Sequence, residues 1–281
     1  MKKANLLNDL NGSQWLFWTD TLYITSFSPD ATHPLRKEHG AMKPPELMAE
    51  IISFFTKREE LVLDPFAGVG GTLLGAALTK RRAVGYELNP RWVEIYRQVQ
   101  RDYVVQQGKL VPRSMVTARQ GEDIKAPLYQ GDCLALMTGL EPASVDAVIT
   151  DPPYGCHHRV TGFPGETNFS MFNEGDPRDF ANAADYDAFF TLMERFGREA
   201  WRVLKPGRYL VMIVGDRYLK GEFFPLGFRV AEKMRQVGFK LKGVRLWSNK
   251  ATQRPLKPYA VYTSFVPNIT HQNILILRKE A

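Results

Sequence analysis

The stretch Val145–Gly155, VDAVITDPPYG, constrains the fold more than any other part of the chain. Val145, Ala147, Val148 and Ile149 form a short apolar run of the kind found in strands buried on both faces. The run stops at Asp151-Pro152-Pro153-Tyr154, because proline has no N–H to give a ladder and cannot continue a central strand. A strand ending this way delivers a carboxylate, a rigid turn and an aromatic ring to the carboxyl edge of a sheet. Open α/β sheets bind their ligands at that edge. Taken alone, the same residues also fit a strand followed by a proline-rich turn with a capping Asp, so the rest of the chain decides.

Leu61-Val62-Leu63 reads as a second buried strand. It is followed by Asp64-Pro65-Phe66-Ala67-Gly68-Val69-Gly70-Gly71-Thr72 and a helix from about Thr72 to Lys80. Glycines between a strand and a helix let a ligand approach the backbone and expose the helix N–H groups. The dinucleotide fingerprint would place a further glycine where Leu73 stands, and the phosphate loop needs Gly-Lys-Ser/Thr; neither is present. The next strand, Ala83–Tyr86, ends at Glu87 and Leu88, an acid placed to accept both hydroxyls of a ribose. Asn89 and Pro90 already supply the cap and first position of the following helix, so Glu87 is not needed there.

These residues carry a family resemblance. Asp-Pro-Pro-Tyr resembles the catalytic motif of the amino methyltransferases that modify an exocyclic nitrogen of a nucleic-acid base. Asp64–Thr72 resembles their DPF-x-G-x-G-T loop, which binds S-adenosyl-L-methionine. His33-Pro34, with Lys43-Pro44 before Glu46-Leu47, is similar to the segment that leads into their first helix and touches that cofactor. The resemblance implies roles as follows. Asp64, Pro65, Phe66, Gly68, Gly70 and Thr72 would hold the methionine part, while Asp132 with Cys133 would meet the adenine. Asp132 also reads as the N-cap of a helix from Leu134.

The chemistry of such a reaction suits the catalytic turn. An exocyclic amine is a poor nucleophile because its lone pair is delocalised into the ring. Asp151 and the carbonyl of Pro152 can each accept one of its N–H bonds, freeing the lone pair. The Pro152-Pro153 pair fixes φ and holds the carbonyl in place. Tyr154 can stack on the base, which must leave the helix for chemistry.

Charge points to the partner. The chain has 37 Lys and Arg against 30 Asp and Glu, a net charge of +7. Eleven of those cations lie between Arg217 and Lys257, against Glu222 and Glu232 alone, so the remainder is net negative. A basic segment interleaved with Phe223, Phe224, Phe228, Phe239 and Trp247 suits a phosphate backbone, and the family resemblance implies that of double-stranded DNA. Arg217, Lys220, Lys250, Arg254 and Lys257 are its candidate contacts. The bland alternative is a solvated basic face, and Arg36 and Lys37 read as solvated too. Only Cys133 and Cys156 occur, without zinc-type spacing, so neither a disulfide framework nor a metal site is expected. No apolar run has membrane-spanning length, and the expected setting is the cytoplasm of a bacterial, archaeal or phage system.

The expected fold is α/β: a Rossmann-like, class I methyltransferase domain over residues 1–281, doubly wound, mostly parallel, with a C-terminal antiparallel hairpin. Residues 12–28 read as one or two strands, with Trp15, Phe17 and Trp18 in the core. A helix is expected from Pro44, and another from Pro90 to about Val105. Further expectations are a strand at Leu128–Gln130 and a helix over Tyr186–Leu204 ended by Lys205-Pro206-Gly207. Beyond these come a strand over Arg208–Val214, a helix near Pro225–Val237, and strands at Phe239–Trp247 and Asn273–Leu277. Residues 106–127, 156–187 and 248–270 are candidate DNA-contacting loops, His157 and His158 among them.

The resulting expectation is a monomeric or homodimeric DNA methyltransferase acting on adenine N6 in preference to cytosine N4. Its motif order, cofactor loop before catalytic turn, implies a permuted or γ-like arrangement within the family. C5-cytosine chemistry needs a Pro-Cys nucleophile, and neither cysteine follows a proline. An RNA enzyme of the tRNA guanine-N2 type also carries Asp-Pro-Pro-Tyr-Gly, and a non-catalytic nucleic-acid-binding partner is a further alternative.

Overall fold

The computed structural model describes residues 4–28, 33–117, 120–156, 172–219, 221–253, 256 and 265–280. Its strands, in chain order, are β1 Leu22–Thr25, β2 Leu61–Asp64, β3 Arg82–Glu87, β4 Tyr103–Gln106, β5 Lys109–Pro112 and β6 Leu128–Gln130. They continue with β7 Val145–Thr150, β8 Leu204–Val214, β9 Arg217–Leu219, β10 Glu222–Phe224, β11 Lys240–Asn249 and β12 Gln272–Arg278. Eight of them form one sheet in the order β1-β11-β12-β8-β7-β2-β3-β6. All neighbours are parallel except β12, which runs antiparallel to both β8 and β11. This is the expected Rossmann-like sheet with its C-terminal hairpin. The chain builds β2, β3 and β6 outward in one direction, then returns to place β7 on the other side of β2. The reversal makes the β2–β7 boundary the switch point, where such sheets bind ligands.

Helices cover both faces because the central strands are apolar on both. All six residues of β7 are buried. On one face lie α2 Pro45–Phe55, α3 Gly71–Leu78 and α4 Pro90–Asp102. Their Leu47, Ile51, Leu73, Val93 and Val99 pack with Val62, Ala147, Ile149 and Val211. On the other lie α5 Cys133–Thr138, α6 Tyr186–Val203 and α7 Leu226–Val237. Here Met137, Phe189, Phe196 and Met234 pack with Leu63, Val148, Leu210 and Met212. Alternation along β7 and β8 therefore feeds two cores at once, and each fully buried side chain of this size contributes about 1.5–3 kcal/mol.

Four local expectations are corrected. Residues 12–28 form helix α1, Gly12–Phe17, before β1, because Asn11 and Gln14 complete a capping box. Phe17 is 81% exposed, while Trp18 stacks on Phe54 with centroids 4.7 Å apart. β1 adds to the sheet beyond the expected hairpin, in parallel with β11. α4 stops at Asp102, and the supposed loop opens with the β4–β5 hairpin. Its two-residue turn, Gln107-Gly108, has positive φ at both positions, the twist that matches paired strands. Lastly, Leu204 is already extended, so Lys205-Pro206-Gly207 belongs to β8 as an irregularity between Leu204 and Tyr209. The Gly207 N–H donates to Lys279 O at 2.8 Å, which holds that irregularity on the sheet.

Candidate functional site

The parallel strands β2, β3, β6 and β7 end at one edge and carry Asp64, Glu87, Asp132 and Asp151 there. A cavity of about 820 Å³ opens at this edge. It gathers Lys43, Pro44, Asp64, Pro65, Phe66, Gly68, Thr72, Glu87, Leu88, Asp132, Cys133, Asp151, Pro152, Pro153, Tyr154 and Arg217. Residues more than a hundred positions apart thus share one wall.

The glycine loop is shaped by two positive-φ residues, Gly68 at 51° and Gly70 at 80°. Gly70 stands before α3, and a Cβ there would sit 2.1 Å from the ring of Tyr96. Only glycine fits, on both conformational and steric grounds. Asp64 holds the loop from below. Its Oδ1 accepts from the Phe66 N–H at 3.1 Å and from the Thr150 hydroxyl at 2.6 Å. Burial lifts its carboxyl to about 6, against the pull of its hydrogen bonds to Thr150, Thr72 and Phe66.

Glu87 is similarly poised. The Gly68 N–H donates to its Oε2 at 2.9 Å and the Asn89 N–H to its Oε1 at 2.7 Å. Burial lifts it to about 7, the two backbone donors working the other way. A carboxylate has about four lone-pair sites, so two remain for a ligand. Asp132 lines the cavity, and its Oδ1 caps α5 by accepting from the Leu134 N–H at 3.0 Å, as its capping reading expects. Burial pushes the Cys133 thiol well above its ordinary range.

The His-Pro segment departs from expectation. His33 and Pro34 are not among the cavity-lining residues. His33 caps the short 3-10 turn Pro34–His39, its Nδ1 accepting from the Leu35 N–H, and its Nε2 lies 3.1 Å from Asp102 Oδ2. The solvated reading of Arg36 is also corrected. It is fully buried and donates from Nε to Val69 O at 3.2 Å and from its terminal nitrogen to Lys43 O at 3.4 Å. It straps the segment to the glycine loop. His39 lines the cavity instead, its imidazole lowered to about 4 by burial and then by the charges of Lys43 and Arg36.

The Asp151–Tyr154 turn is held from three sides. Tyr154 donates its hydroxyl to Asp151 Oδ1 at 2.6 Å, and Lys43 Nζ reaches Asp151 Oδ2 at 2.5 Å. Arg217, expected on phosphate, donates to the carbonyls of Tyr154 at 3.2 Å and Cys156 at 3.1 Å. Burial, then the Asp151 charge, raises the Tyr154 phenol well above its ordinary range. The lining also includes Trp247, Asn249 and Gln272, from the facing ends of β11 and β12, and Thr252 from the turn after β11.

Several of these residues carried no sequence signal. Thr150, Arg36 and the pairing of Lys43 depend on long-range contacts. Asp179, also in the lining, caps a 3-10 turn and accepts from the Asn173 N–H at 2.8 Å. Of the expected DNA contacts, Lys250 is exposed at the start of the turn Lys250–Thr252 beside the cavity. Lys220, Arg254 and Lys257 lie outside the described residues, as do His157 and His158. Arg245, counted in the basic segment, is buried, its guanidinium 4.3 Å from the Trp18 ring centre and 4.2 Å from that of Tyr23. Among the described residues no group of three His, Cys, Asp or Glu could hold a metal, and no helix is long and apolar enough to cross a membrane.

A family model described as DNA methylase matches residues 7–98 and 145–281, and one described as an RMKL-like methyltransferase domain matches 53–161. The Type II methyltransferase M.HindIII of Haemophilus influenzae is 53% identical over 51 residues, 18% of this chain and 16% of that protein. A tRNA (guanine(10)-N2)-dimethyltransferase of Methanothermobacter thermautotrophicus is 27% identical over 133 residues, 47% of this chain and 33% of that one. The matches therefore span a third or less of these relatives' lengths. Among solved structures, the [4+2]-cyclase SpnF shares the fold at a TM-score of 0.50 and 16% identity, covering 84% of this chain and 80% of that one.

Proposed function

We propose, from the premise that this chain belongs to the N6/N4 DNA methylase family, that it transfers a methyl group from S-adenosyl-L-methionine to an exocyclic amine of a base in duplex DNA. The carrying observation is that the Asp151–Tyr154 turn and the Gly68–Gly71 loop open on one cavity. Its residues suit the cofactor: Glu87 for the ribose, Asp132 for the adenine amino group, and the positive-φ glycine loop for the methionine part. Bound there, the cofactor supplies an electrophilic methyl on a sulfonium.

The chain's own residues supply the rest. Asp151 and the carbonyl of Pro152 accept the two N–H bonds of the target amine and aim its lone pair. Tyr154 offers its ring to the extruded base, and Arg217 keeps the turn in register by its bonds to Tyr154 and Cys156. An amine methylated there would lose one proton, which the Asp151 carboxylate is placed to take and pass to solvent. Lys250 serves the phosphate backbone at the cavity mouth, and the exposed part of the basic segment extends that role.

Adenine N6 is the assigned target, on the resemblance of Asp-Pro-Pro-Tyr to the adenine enzymes of the family; Asp151 can accept from a cytosine amine equally well. A modification role beside a restriction enzyme, in the cytoplasm, accords with the Type II relative. The tRNA dimethyltransferase match keeps an RNA guanine-N2 reading as the second candidate. Nucleoside mass spectrometry of DNA and RNA from cells making the protein or its Asp151→Ala variant separates these. N6-methyladenine in DNA from wild-type cells alone is expected. Only N4-methylcytosine would change the base, and methylation confined to RNA would overturn the substrate.

A further inference from the structure

We infer that Lys43 is a positioning residue for Asp151 rather than a cofactor contact. The inference rests on the functional reading above and adds to it a residue outside the catalytic turn. Lys43 is 8% exposed, and its ammonium meets Asp151 Oδ2 at 2.5 Å. The other carboxylate oxygen takes the Tyr154 hydroxyl at 2.6 Å. With both oxygens engaged, rotation of the carboxylate about its last bond would break both contacts.

The lysine is itself fixed. Its carbonyl accepts from the buried Arg36 guanidinium at 3.4 Å, and Pro44 and Pro45 follow it directly into α2. Its ammonium also lies 3.5 Å from Ala41 O and 5.4 Å from the centre of the Tyr154 ring. A rigid segment at the head of α2 thus reaches across the switch point to the end of β7. Two of the carboxylate's roughly four acceptor sites remain for a target amine. Their direction is set by Lys43 and Tyr154 together. In-line attack on a methyl group is sensitive to such direction, and a displacement of about 1 Å costs about 100-fold in rate.

A kinetic split tests this. Lys43→Gln is expected to lower kcat by about 10- to 100-fold, on the same grounds. Its cofactor Kd and DNA KM should stay within about twofold of wild type, because the inference assigns the Lys43 ammonium to Asp151 and to neither ligand. A weakened cofactor Kd with kcat retained would return Lys43 to the cofactor site and overturn the inference.

Thermal denaturation of Lys43→Gln, Asp151→Asn and the double variant provides a second readout that needs no turnover. Breaking one half of a buried pair leaves a charge stranded, so the double variant should recover much of the Tm lost by Lys43→Gln. Should Lys43→Gln fail to fold, folding of the double variant is the same positive result. Strictly additive losses, or a double variant that also fails to fold, would sink the pairing. Absence of methyl transfer by wild type to any nucleic acid would instead remove the functional reading, and the positioning role with it, whatever the denaturation shows.

Discussion

Thr150 donates its hydroxyl to Asp64 Oδ1 at 2.6 Å, joining the last residue of β7 to the last residue of β2 across the switch point. Both residues are buried, Thr150 completely and Asp64 to 2% exposure. The bond locks the glycine loop to the Asp151–Tyr154 turn, since Asp64 begins the first and Thr150 immediately precedes Asp151. A buried carboxylate is otherwise costly, and here a hydroxyl and a backbone N–H offset part of that cost.

Glu87 is expected to anchor the cofactor ribose. Glu87→Ala should weaken S-adenosyl-L-methionine binding by about 1.5–3 kcal/mol, the range for a lost charge-assisted hydrogen-bonding partner. Titration calorimetry measures this directly, and unchanged affinity would remove Glu87 from the site.

Stability should depend on pH through the two buried acids. Burial lifts Asp64 from 3.8 to about 6 and Glu87 from 4.5 to about 7. The folded protein therefore binds more protons than the unfolded chain between these limits. Their contribution to stability is fully present below about pH 4 and is lost as pH rises through 6 and 7. At about 1.4 kcal/mol per pKa unit, each amounts to about 3 kcal/mol. Urea unfolding of wild type and Asp64→Asn isolates the effect from surface carboxylates, which act in the opposite sense. Parallel pH profiles for the two proteins would refute it.

Gly70 should tolerate no side chain. Gly70→Ala places a Cβ 2.1 Å from the Tyr96 ring at a φ of 80°. Strain and overpacking together are expected to cost about 2–5 kcal/mol. Denaturant midpoints would show the loss, accompanied by loss of cofactor binding. A variant of wild-type stability would mean that α3 and α4 can separate.

Lys250 tests the phosphate role of the basic segment. DNA affinity should fall steeply with salt, each neutralised phosphate adding about 0.9 to the log–log slope. Lys250→Glu should reduce that slope by about 1. An unaltered slope would assign Lys250 to the solvated face.

Features specified by neighbours in the chain were legible in advance. The strand end at Asp151, the glycine loop, Glu87 beside a helix already capped by Asn89, and the closing hairpin all follow from local residue chemistry. Periodicity and turn propensity act over a few residues and need no knowledge of the rest of the chain. The helix α1 and the β4–β5 hairpin were missed where a capping box and a Gln-Gly turn outweighed the general composition.

Only the tertiary structure decided which charges meet. Lys43 and Asp151 are 108 residues apart, Thr150 and Asp64 are 86 apart, and His33 was drawn 69 residues away to Asp102. Arg245 carries the same charge as Lys250 yet is buried against the rings of Trp18 and Tyr23, because β1 joined the edge of the sheet beside β11. Which ionisable group a side chain carries is set by its own chemistry. Its partner is set by which elements the folded sheet brings side by side, and no local pattern in the chain encodes that.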